Sequence, residues 1–149
     1  MAAAAVSRQR PAPRRQRGVT LIELMIALVV LAILVSVAVP GYRQQVIRTH
    51  RAEAKQLLLT EATALERCFM NLNAYNAAGC PTAGTFPKLA AEGRYQLTAT
   101  LNAGSFTLQA VPQGEQAKDT SCKTLTITHT ASKGVAGGAT KSAEWCWRN

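Results

Sequence analysis

The feature that most constrains this chain is a run of 21 residues, Val19 to Val39, that is apolar except for Thr20, Glu23 and Ser36. As an α-helix it extends about 31 Å at 1.5 Å per residue, enough to cross the hydrocarbon layer of a bilayer. A helix that is apolar all round must be surrounded by lipid or by other apolar helices. Arg14, Arg15 and Arg17 stand directly before it. Such a cluster holds that end in the cytoplasm and sends everything after Pro40 across the membrane. Residues 1–18 consist mainly of Ala, Pro, Gln and Arg without apolar periodicity, and they read as a leader that is removed rather than as part of the fold.

Locating the charge matters more than its total. The formal net charge is +9, but five of the 17 basic residues (Arg8, Arg10, Arg14, Arg15, Arg17) and none of the acidic ones precede residue 18. The remainder carries 12 basic and 8 acidic residues, about +4, a surplus ordinary for a solvated surface that assists contact with an acidic partner without identifying one. No G-x-S-x-G, Gly-rich phosphate loop or H-E-x-x-H is present, so the sequence offers no catalytic constellation. No metal site or cofactor is expected: there is no C-x-x-C, and His50 and His129 are not spaced with the cysteines as zinc ligands are.

Beyond Pro40 and Gly41, which are expected to kink the helix, the pattern becomes amphipathic. Ile47, Ala54, Leu58, Leu65, Phe69 and Leu72 recur at spacings of three, four and seven, with Arg48, Arg51, Glu53, Lys55, Glu61 and Glu66 expected largely on other faces. The helix therefore continues to about residue 70. Residues 71–93 are rich in Asn, Gly and Pro and read as a loop. Alternation then marks strands at Tyr95 to Leu101, Phe106 to Ala110 and Thr124 to Thr130, an antiparallel meander whose apolar face covers the helix stripe. Lys133 to Lys141, with three glycines, reads as a mobile turn.

Cys68, Cys80, Cys122 and Cys146 all lie past the apolar run, and an even number suits an oxidising compartment such as a periplasm. Three pairings are open. The simplest joins neighbours, Cys68 to Cys80 and Cys122 to Cys146, and a head this small needs such cross-links.

The junction Arg17-Gly18-Val19-Thr20-Leu21-Ile22-Glu23-Leu24-Met25 resembles the class III signal of type IV prepilins, with Val19 where Phe is usual. The resemblance implies an α+β pilin fold: leader 1–18, transmembrane or filament-core helix 19–41, and exported head 42–149 with a β-rich region from residue 94. It further implies cleavage between Gly18 and Val19 by the prepilin peptidase and methylation of the new Val19 amine. Glu23, a carboxylate in an apolar helix, costs about 2.5 to 3.5 kcal/mol near a bilayer centre and needs a reason to be there. By resemblance it pairs with the Val19 amine of a neighbouring subunit during filament assembly; otherwise it snorkels to the interface.

The distal half, from Arg94-Tyr95-Gln96-Leu97 through Ser105 to Gly114 and on to Cys146-Trp147, is similar to the minor pilins of the PilE type. Those are low-abundance subunits that prime pilus assembly, serving twitching motility and adhesion, and some relatives bind DNA during natural transformation. The implied partners are other pilins, the prepilin peptidase and the inner-membrane assembly machinery; the implied location is the inner membrane and then the pilus. Candidate partner or DNA contacts are Lys123, Lys133, Lys141, Trp145, Trp147 and Arg148, the two Trp expected to share one face of a closing strand. Three other readings compete: a DNA-receptor minor pilin for natural transformation, a soluble periplasmic protein released by cleavage after Ala38, and a pseudopilin of a secretion system.

Overall fold

The computed structural model describes residues 18–148; the leader, apart from Gly18, lies outside the described residues, as does Asn149. The first helix, α1, runs Leu21–Leu72 and contains Pro40. The chain divides into two compact units, Met1–Val39 and Pro40–Asn149. In the first, the helical residues from Leu21 onward are all exposed, Leu21 at 77%, Ile22 at 62% and Val37 at 73%, and none of its apolar spanning window is buried. Long apolar side chains left uncovered along a whole helix require lipid or another subunit around them.

The second unit holds a five-stranded antiparallel sheet in sequential order: β1 (Lys88–Leu89), β2 (Tyr95–Leu101), β3 (Phe106–Pro112), β4 (Thr124–Thr128) and β5 (Lys133–Ala136). The β2–β3 turn is a four-residue loop in which Asn102 N–H donates to the Ser105 carbonyl at 2.9 Å, setting Leu101 opposite Phe106. Alternation places Tyr95, Leu97, Phe106, Leu108, Ala110, Leu125 and Ile127 in the core. There they join Ala54, Leu58, Ala62, Leu65 and Cys68 from α1 in one apolar cluster. The buried positions on α1 recur at three and four residues, the period of one helix face.

Three expectations need correction. Residues 71–93 are not wholly loop, because Ala83–Thr85 form a 3₁₀ turn and Lys88–Leu89 pair with β2. Lys133 to Ala136 is not a mobile turn but β5, paired to β4 with Gly134 opposite Thr126. A Cβ at that position would stand 2.5 Å from the Thr126 hydroxyl, so any larger residue forces the Thr126 side chain to shift. The closing segment is a helix, α2 (Ala143–Arg148), so Trp145 and Trp147 do not share a strand face. Two residues apart on a helix they point about 200° away from one another, and each is half-buried.

Disulfides join Cys68 to Cys80 and Cys122 to Cys146, across sequence separations of 12 and 24. In the chain-entropy view these closures stabilise by about 3 and about 3.5 kcal/mol. Cys122 and Cys146 are fully buried; their bridge anchors α2, whose last turn also receives a hydrogen bond from Lys55 Nζ to the Trp147 carbonyl at 3.3 Å. Replacing both Cys122 and Cys146 with Ala is therefore expected to cost about 3 to 4 kcal/mol. Urea unfolding of the detergent-solubilised protein, compared with parent, checks this; an unchanged midpoint would contradict it.

Candidate functional site

Two regions carry candidate functional residues, one in each unit. At the start of α1 the Thr20 hydroxyl accepts the Glu23 N–H at 3.3 Å, and the Leu24 N–H bonds to the Thr20 carbonyl at 3.2 Å. Thr20 is thus the N-cap, and Thr20-x-x-Glu23 has the spacing of a capping box. The signal was readable in the sequence, and it gives Thr20 a local role of its own. Glu23 lies in the first turn, where the helix dipole favours a negative charge. Its side chain is exposed and has no ion-pair partner among the described residues. Gly18 and Val19 are exposed and extend ahead of the helix.

The second region is built on a buried ion pair. Arg51 on α1 donates from Nε to Asp119 Oδ2 at 2.6 Å and from Nη2 to Oδ1 at 2.7 Å, with side chains 5% and 2% exposed. Asp119 Oδ1 also accepts the Ser121 and Cys122 N–H groups at 3.1 and 3.4 Å, so it shapes the turn into the disulfide. Gln116, from the 3₁₀ turn Gly114–Lys118, donates to the Tyr95 hydroxyl at 3.0 Å and to the Ile47 carbonyl at 3.3 Å. Burial pushes the Tyr95 hydroxyl up to about 12, with Asp119 adding to the rise and the Gln116 bond and Arg51 opposing it. Arg51 and Glu61, expected with the other charges largely off the apolar stripe, are both buried, Arg51 against Asp119 and Glu61 against Lys88 Nζ at 2.6 Å.

Beside this pair opens a cleft of about 340 Å³ lined by Arg48, Arg51, Lys118, Asp119, Lys141 and Trp145, among others. Arg51 and Lys141 approach the Trp145 ring at 5.3 and 5.8 Å from its centroid, within cation–π range. Of the candidate partner or DNA contacts named from sequence, Lys141 and Trp145 line this cleft; Arg48, Arg51 and Lys118 reach it from distant segments. Trp147 instead donates from its indole nitrogen to the Gly134 carbonyl at 3.0 Å and lies under Lys133. Arg148 pairs with Glu144 at 3.3 Å on an exposed helix face. Lys123 occupies a left-handed turn position, φ 48°, next to Cys122.

The family described as type IV minor pilin ComP, DNA uptake sequence receptor, matches residues 40–126, and the prokaryotic N-terminal methylation motif matches residues 13–39. Over 102 residues the chain is 31% identical to the type IV major pilin protein PilE1 of Neisseria gonorrhoeae, a match covering 66% of this chain and 46% of that relative. The chain thus spans about half the length of the curated relative it matches. A solved type IV pilin from Shewanella oneidensis is 27% identical, with a TM-score of 0.41, covering 58% of this chain and 89% of that one. This chain belongs to the ComP family of type IV minor pilins.

Proposed function

We propose that the mature chain, beginning at a methylated Val19, is a non-catalytic minor subunit of a type IV pilus that promotes its assembly. The observation that carries this reading is the uncovered apolar segment from Leu21 to Val39, which lies within the N-terminal methylation match at residues 13–39. Its uncovered surface needs lipid before assembly and neighbouring subunit helices afterwards. Glu23 is the assembly residue, pairing with the Val19 amine of the next subunit, and the prepilin peptidase cuts after Gly18. The same motif weighs against release by cleavage after Ala38. Immunoblots of sheared pili and of membranes test the reading. The chain is expected in both, at a small fraction of the main subunit in pili. Its recovery only as a soluble periplasmic species would refute it.

A second reading, DNA reception at the pilus, is favoured by one observation, the cleft that gathers Arg48, Lys118 and Lys141 around the half-buried Trp145. Lysine and arginine meet phosphates while an indole stacks on a base. The name of the matched family gives the same ligand for its members. Lys141→Ala is expected to weaken DNA binding at all sequences and to lower the slope of log affinity against log salt by about 1. An unchanged slope removes Lys141 from the interface.

A further inference from the structure

We propose that His50, Glu53 and Glu92 form a binding site for a divalent transition cation of the zinc type, which ties α1 to the β1–β2 turn. His50 and Glu53 stand one turn apart on α1, and Glu92 reaches them from the turn that enters β2. His50 Nδ1 lies 3.3 Å from Glu92 Oε2 and 3.9 Å from Glu53 Oε2. One donor atom from each residue falls within 4.8 Å of the others. Ligand atoms about 2.0 to 2.2 Å from a tetrahedral zinc ion stand roughly 3.3 to 3.6 Å apart, so the three donors reach that geometry with small side-chain movements.

The site is held from behind. The Glu92 N–H donates to Glu53 Oε1 at 3.2 Å, leaving Glu53 Oε2 directed at the imidazole. The turn carrying Glu92 is closed by Gly93 N–H to the Ala90 carbonyl at 2.8 Å and Ala90 N–H to the Tyr95 carbonyl at 2.9 Å. Gly93 takes φ +66°, a conformation other residues rarely adopt. The backbone of the third donor is therefore fixed before any ion arrives. His50 is nine-tenths buried, with no hydrogen bond to its ring among the described contacts, whereas the Glu92 side chain is 64% exposed. A buried nitrogen at the base and an exposed carboxylate at the mouth leave an entry path and room for a water as fourth ligand.

Charge and donor type select the occupant. Two carboxylates supply two negative charges, which a divalent cation neutralises, and the imidazole favours zinc-like ions over calcium or magnesium, which take oxygen sets. Sequence spacing concealed the site, because Glu92 is 39 residues from Glu53.

The test uses the untagged full chain in detergent, stripped with EDTA and titrated with zinc chloride alone. One saturable equivalent is expected. At a hundredfold excess over the Kd, the thermal midpoint of the second unit should rise by about 5 °C or more and return on adding EDTA. Glu92→Gln, an exposed change, should weaken binding about tenfold or more while leaving the metal-free midpoint within about 2 °C. His129→Gln should bind like the parent. The proposal is overturned if no saturable binding is seen, if Glu92→Gln binds as the parent does, if binding is lost in His129→Gln, or if calcium binds more tightly than zinc.

Discussion

Replacing Asp119 with Ala is expected to destabilise the second unit by about 3 to 5 kcal/mol, a large part of the stability of a domain this size. Arg51 is 5% exposed in its side chain and gives two hydrogen bonds to Asp119. Removing the acid leaves a largely buried guanidinium without its counter-ion. Arg51 Nη1 already has no hydrogen-bond partner in its buried position, so the group has nothing in reserve but the Trp145 ring at 5.3 Å. Asp119 also accepts two N–H groups of the turn that delivers Cys122, so its loss frees backbone donors as well. The double variant Arg51→Met with Asp119→Ala should recover part of the loss, since an apolar replacement for both partners leaves no buried charge. Thermal unfolding of the full protein in detergent measures both. A loss under about 1 kcal/mol in Asp119→Ala would show that the pair is not desolvated as described.

The second large effect concerns the N-terminal unit. Gly18→Phe is expected to leave an uncleaved precursor in the membrane, because the proposed peptidase requires a small residue before the cut, and its Arg-rich leader stays cytoplasmic. Glu23→Ala should behave oppositely. It inserts at least as well as the parent, having lost a charge that is costly in lipid, and it is processed normally. Its entry into pili should nevertheless fall about tenfold or more, a loss of roughly 1.4 kcal/mol for the pairing with a neighbouring Val19 amine. The ratio of each variant in sheared pili to that in membranes reads both effects. Equal entry of Glu23→Ala and parent would return Glu23 to a helix-start charge favoured only by the dipole.

How much could be read from the sequence follows from how local each cause is. The apolar run, the amphipathic period of α1 and the alternation in β2, β3 and β4 are local patterns, and the structure follows them. β1 is two residues long and β5 is Lys-Gly-Val-Ala, segments too short or too glycine-rich to show a period. They exist because neighbouring strands offer them an edge. α2 carried one usable sign, Ser142, whose hydroxyl accepts the Trp145 N–H at 3.3 Å as an N-cap does. The charged residues were least legible. Arg51 and Glu61 look like surface charges on a helix and become buried because Asp119 and Lys88 arrive from 68 and 27 residues away. The same long reach hides the cationic cleft and the His50 cluster, whereas Gly18, Val19 and Glu23 are adjacent in the chain and needed no fold to be found together.

Processing at Gly18 and anchoring by the helix that follows are tested most directly by the mass and N-terminal sequence of the protein extracted from membranes. The expected chain starts at N-methylated Val19 and retains both disulfides. A chain that starts at Val39, or one found only outside the membrane, would contradict that expectation.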